Sequence, residues 1–106
     1  MKSKIRQLAI KIREDRKKVF SRKSSSLGEK YLESCSATRI IEGKRYIRID
    51  VGPTHNWSGK LMINSISGEI FGIKGYGVVH KGKRYGNLDT IDDYFWGEYS
   101  PILKGD

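Results

Sequence analysis

The chain predicts an α+β fold: an N-terminal amphipathic helix packed on a small antiparallel sheet of about four to five strands, built from two hairpins, with a short C-terminal helical turn. Three observations lead there. Apolar residues recur at helical spacing between Ser3 and Arg22, the pattern changes to alternation from Cys35, and acidic and aromatic residues mix after Asn87.

At 106 residues the chain is one domain, because compact units of about 100–150 residues are the usual size. Hydrophobic residues make up 37%, so the core is small. A net charge of +9 draws the protein to polyanions, and nucleic acid, an anionic membrane face or an acidic protein each satisfies it. The single cysteine, Cys35, excludes an internal disulfide or a multi-cysteine zinc cluster and suits a reducing, cytoplasmic setting. No apolar run approaches the ~20 residues of a membrane span, and Met1 to Phe20 lacks the apolar centre of a secretory signal. Its Arg-rich, acid-poor character also fits an organellar transit peptide. The organisation expected is a basic helix at 1–23, a linker at 24–28, a sheet over 35–86 and an acidic aromatic segment at 87–106.

In the helix, Ile5, Leu8, Ala9, Ile12 and Val19 form one stripe, which Arg16 interrupts, and Ser3 is a candidate N-cap. Basic residues flank the stripe: Lys4, Lys11 and Lys18 along one edge, Arg6, Arg13 and Lys17 along the other. Such a helix can dock on a sheet or protein while its edges face phosphates, or lie on an anionic bilayer; a solvated helix packed on the core is the plain alternative. Ile10 lies on the polar side. Ser24, Ser25, Ser26 and Gly28 end the helix, and Glu29 to Ser34 suits a short second helical turn.

Cys35 to Ile41 and Arg45 to Val51 predict two strands joined through Glu42-Gly43-Lys44. In the second, Ile47, Ile49 and Val51 face the core while Tyr46, Arg48 and Asp50 face out. A loop from Gly52 to Gly59 carries His55 and Trp57, the latter a base-stacking or half-buried ring. Lys60 to Asn64 and Glu69 to Ile73 form the second hairpin, with Gly68 supplying the positive φ of its turn. Gly72, Gly75 and Gly77 lack the strand–turn–helix context of a phosphate loop and suit bulges or turns. Val78-Val79 is a candidate short strand. His80, Lys81, Gly82, Lys83 and Arg84 are expected to form a basic turn bracketed by Tyr76 and Tyr85, charges for a phosphate backbone and rings for bases. After it, Asp89, Asp92, Asp93 and Glu98 interleave with Leu88, Ile91, Tyr94, Phe95 and Trp96, predicting a helical turn capped by Asp89; 101–106 is expected to be a loose tail.

Two resemblances follow from these residues. Lys74-Gly75-Tyr76-Gly77-Val78-Val79 resembles the first half of the RNA-recognition-motif signature, but Val78 and Lys81 stand where that signature has further rings, so a stacking role carries over to Tyr76 alone. The run from Arg45 to Trp96, with YIRIDVG, the S-G-x-I turn, the glycine-rich basic loop and YFWG, is similar to small proteins of tailed bacteriophages. That likeness implies a phage origin and a host cytoplasm, and supplies no catalytic residue.

His55 and His80 are the only histidines, and no H-x-x-x-H or C-x-x-C spacing is present, so no metal or cofactor is expected. The enzymatic alternatives are His80 paired with Asp89 or Asp92, and a magnesium-dependent nuclease on Asp89, Asp92 and Asp93. The expectation is a non-enzymatic accessory protein that binds RNA or single-stranded DNA through Lys11, Arg13, Lys17, Lys18, His80, Lys81, Lys83 and Arg84, with Tyr76 and Tyr85 stacking. The alternative is a phage protein-interaction module that inhibits or redirects a host protein, or a virion component.

Overall fold

The computed structural model describes residues 2–23, 28–75, 78–98 and 100–104. Helix α1 (Lys2–Lys23) lies on one face of a sheet, and a short α2 (Glu29–Ser36) leads into it. The sheet is a five-stranded antiparallel meander of β1 (Thr38–Glu42), β2 (Tyr46–Val51), β3 (Ser58–Asn64), β4 (Glu69–Gly75) and β5 (Val78–Asn87), in that order. A 3-10 turn at Ile91–Asp93 and a two-stranded ribbon of β6 (Tyr94–Phe95) and β7 (Ile102–Leu103) complete the chain. The α+β layout expected from the sequence is the one observed.

The helical stripe does what its spacing dictates. Ile5, Leu8, Ala9, Ile12 and Val19 are all buried, and Ile5, Leu8 and Ile12 share one core with Ile49, Val51, Leu61, Ile63 and Ile70 from the sheet. Cross-strand pairing of Ile40 with Ile49, Ile49 with Leu61 and Ile63 with Ile70 keeps this apolar set on the helix side. Trp96, fully buried, ties the C-terminal segment to the helix: its backbone N–H donates to the Asp15 carboxylate at 2.9 Å and its indole N–H to the Ile91 carbonyl at 3.0 Å. Gly68 has φ +77° in the β3–β4 turn, where its carbonyl also accepts the Leu88 N–H.

Four local expectations need correction. Cys35 and Ser36 belong to α2 rather than to a strand, because the Ser36 hydroxyl donates to the Leu32 carbonyl and the Cys35 carbonyl is held by Arg16. His80 to Arg84 are not a turn but part of β5, which pairs with β4 from Gly75–Val78 to Glu69–Asn87. The 3-10 turn is entered from Thr90, since Asp89 is drawn to Lys4 instead. Ile102 and Leu103 are not a loose tail but pair with Phe95 and Tyr94.

Asp50 departs from expectation as well. It lies across from Arg39 on the face turned away from α1, yet its side chain is fully buried. Alternation assigns a side, not an exposure: Arg48 donates to both carboxylate oxygens at 2.7 and 3.2 Å, Arg39 adds a bond of 2.9 Å, and Arg39 itself lies 4.7 Å from the Trp57 ring. Removing one member of a buried charge cluster strands the others, so Asp50→Ala should cost about 3–5 kcal/mol in urea unfolding. Asp89→Ala, at an exposed partner of Lys4, should barely move the midpoint; equal effects of the two substitutions would contradict the assignment.

Candidate functional site

The structure sorts the basic residues into two populations. Along one edge of α1 two cations are matched by acids: Lys4 bonds Asp89 and Lys11 bonds Asp92. The hydrogen bond and charge of Lys11 hold the Asp92 carboxyl below the usual carboxylate range. Lys18 lies 4.0 Å from Asp15, and Arg84 donates to Glu69 at 2.7 Å. The acidic segment after Asn87 thus serves as internal counter-charge for one edge of the helix. Arg13, exposed, and Lys17, half-buried, occupy the opposite edge, as their helical positions require.

At the other end of the sheet the acids run out. Lys74, Lys81 and Lys83 are exposed and, among the described residues, none has a carboxylate within 4.0 Å. Lys81, Gly82 and Lys83 form a bulge: Gly72 pairs with His80 and Phe71 with Arg84, so the intervening residues have no opposite number on β4. A bulge in an edge strand re-aims side chains out of the ladder, which frees Lys81 and Lys83 from the sheet's own register. His80 is half-buried, and a Cβ on Gly82 would sit 3.1 Å from its ring, so the loop closes tightly there.

Behind this bulge two further cations meet. Arg16 falls within the apolar stripe, and its Nε and Nη2 donate to the Cys35 carbonyl at 3.3 and 2.9 Å, closing the end of α2, while its guanidinium lies 5.0 Å from the Phe20 ring. Lys60 is the extra residue where β3 slips against β2, between the Ile49–Leu61 and Asp50–Gly59 pairs. Its ammonium donates to the Glu98 carbonyl at 2.9 Å. Both line a cavity of about 270 Å³ together with Lys83, Tyr85, Ser58 and Ser100. Burial, then the Arg16 charge, pushes the Lys60 ammonium down to about 8, with Glu98 offsetting part of this. Burial likewise lowers Arg16, which remains protonated at any ordinary pH.

Of the expected contact residues, the structure therefore gathers Lys81, Lys83 and Tyr85 at one end, leaves Arg13 and Lys17 on the far helix edge, and engages Lys11, Lys18 and Arg84 with acids. Tyr85 packs edge-on against Tyr94, with ring centroids 6.5 Å apart. Tyr76 lies outside the described residues. Arg16 and Lys60 were absent from the expected set; the break Arg16 makes in an otherwise apolar stripe was the signal for one, whereas the bulge that redirects Lys60 left no mark in the alternation. Asp89 and Asp92 each engage a different lysine, and among the described residues no three His, Cys, Asp or Glu side chains converge. His80 lies within β5, whereas Asp89 lies beyond its end and meets Lys4. Among the described residues no helix is long and apolar enough to cross a membrane. No family model matches the chain, and no curated protein or solved structure shows significant similarity to it.

Lys60 makes the site's stability pH-dependent. Below about 8 it is charged in folded and unfolded chains alike and its burial cost is fully present; between about 8 and 10.5 the unfolded chain keeps a proton the folded one has released. Its contribution to stability therefore rises with pH across that window. Urea unfolding of Lys60→Met should show higher stability than the parent near pH 7, by about 1 kcal/mol or more, with the gap narrowing toward alkaline pH. A Lys60→Met chain less stable than the parent at neutral pH would contradict this electrostatic account.

Proposed function

We propose that this protein is a non-enzymatic, basic nucleic-acid-binding accessory protein, phage-encoded and acting in the host cytoplasm, which contacts the phosphates of RNA or single-stranded DNA. The observation that carries the reading is a local cluster of positive charge: Lys74, Lys81 and Lys83 stand without acidic partners among the described residues, backed by Arg16 and Lys60, while Lys4, Lys11 and Arg84 are matched. A surface that keeps its positive charge at one end attracts a polyanion there and gains from the counterions the polyanion sheds.

A bulged edge strand favours a pliable single strand over a duplex, because backbone phosphates can follow Lys81 and Lys83 without a recognition helix entering a groove. Tyr85, which lines the cavity, is proposed as one stacking ring and Tyr76 as a second. Arg13 and Lys17 extend the contact only if the strand wraps the helix, so they rank below the β5 lysines. The phage origin rests on the sequence likeness of Arg45 to Trp96.

A protein-interaction module is the second reading, and one observation favours it: with Lys4 and Lys11 matched by acids, the outward face of α1 presents Ile10, 53% exposed. Fluorescence anisotropy with a single-stranded oligonucleotide across a salt series separates the two. Binding should weaken steeply with salt, and Lys81→Ala and Lys83→Ala should each lower the log–log slope by about one, with Lys4→Ala nearly silent. A flat salt response, or a stoichiometric host protein retained from lysate after nuclease treatment, would overturn the nucleic-acid reading.

A further inference from the structure

We infer that the cavity between the C-terminal half of α1, the start of β3 and the β4–β5 hairpin is a receptor for a phosphate monoester, the group that ends a nucleic-acid strand or is carried by a free nucleotide. The inference deepens the reading above and rests on it for the source of that group.

The charge balance of the cavity is the main reason. Arg16, Lys60 and Lys83 all line it, and the acceptors held by Arg16 and Lys60 are main-chain carbonyls, which satisfy hydrogen bonds but bring no negative charge. Glu98 offsets part of the field at Lys60, and the Asp50 carboxylate close to Gly59 on the wall is already held by Arg39 and Arg48, so the three cations of the lining are not matched one for one by acids. Withdrawing like charges from water side by side is costly unless an anion joins them. Neither cation owes its position to an acid: Arg16 is carried inward by the apolar stripe of α1 and Lys60 by the β3 bulge.

Size and chemistry select the anion. At about 270 Å³ the cavity lies just below the usual ~300–1,000 Å³ of drug-sized sites, which suits a phosphate with its sugar better than a larger ligand. It is partly open to solvent, so the end of a strand can enter it from the surface. The wall carries donors suited to a dianion: the Arg16 guanidinium, of which Nε and Nη2 already hold the Cys35 carbonyl, the Lys60 ammonium anchored on the Glu98 carbonyl, the Lys83 ammonium, and the hydroxyls of Ser58 and Ser100. Lys83 belongs both to this wall and to the exposed bulge, so a strand lying along Lys81 and Lys83 would deliver its terminus to the opening.

The test uses inorganic phosphate and paired oligonucleotides with the full chain. Phosphate at about ten times its Kd should raise Tm by roughly 5–10 °C over chloride of equal ionic strength, and the shift should vanish in Lys60→Met. A single strand with a 5′-phosphate should bind about tenfold or more tighter than the same strand with a 5′-hydroxyl, and Lys60→Met should erase the difference. Lys83→Ala, at an exposed position, is the second variant should Lys60→Met not fold, and it should reduce both effects. Equal affinity for the two strands with no phosphate shift would overturn the cavity inference and leave the nucleic-acid reading standing. A phosphate shift lost in Lys60→Met, with a nucleoside monophosphate bound and neither strand bound, would support the receptor and overturn the nucleic-acid source. A phosphate shift unchanged in both variants would place the anion elsewhere and overturn the inference.

Discussion

Arg16 and Lys60 are two like charges drawn out of water against the same cavity, with carbonyl oxygens for hydrogen-bond partners and Glu98 offsetting only part of the charge cost at Lys60. Much of the architecture converges on that arrangement. The stripe of α1 holds Arg16 at the core margin; its guanidinium closes the end of α2; the slip of β3 against β2 turns Lys60 inward; the segment after Trp96 supplies the carbonyl that receives it. Each support is ordinary packing, and together they hold a local electrostatic cost that folding alone does not require. A stability cost of this kind is commonly retained where a site needs it.

The acidic C-terminal segment gives this local imbalance its place on the molecule. It could have neutralised the protein broadly. Instead Asp89 and Asp92 meet Lys4 and Lys11, Asp15 receives the Trp96 backbone, and Glu69 holds Arg84, so the counter-charge is concentrated away from the β4–β5 tip. The net +9 is therefore not spread evenly over the surface. Exposed pairs contribute little to stability, so their larger consequence is to decide which cations remain free for a polyanion.

Periodicity made most of the fold legible. The residues named for the α1 stripe are the buried ones, the two hairpins fall where glycine and alternation put them, and Gly68 has the backbone that its turn demanded. What stayed hidden depends on contacts between distant parts of the chain. Asp50 reads as a solvent-facing residue because alternation reports a side of the sheet, and only the folded chain brings Arg39 and Trp57 over it. The basic run from His80 to Arg84 reads as a turn because charge and glycine dominate it, whereas pairing to β4 continues on both sides of the bulge. Composition could not say how the basic residues would be shared out over the surface: the two edges of α1 point apart, and one of them already meets carboxylates. Arg16 and Lys60 carry the candidate site, one foreshadowed by its misfit in the stripe and the other by nothing local.

The most direct measurement of the central claim is an NMR titration following the lysine side-chain carbons, in the free protein and with a 5′-phosphorylated single strand bound. In the free protein Lys60 should titrate near about 8, well before the exposed lysines, and the bound phosphate should return it toward the ordinary lysine range. A Lys60 that titrates with the other lysines, or that keeps the same midpoint when the strand is bound, would contradict the account.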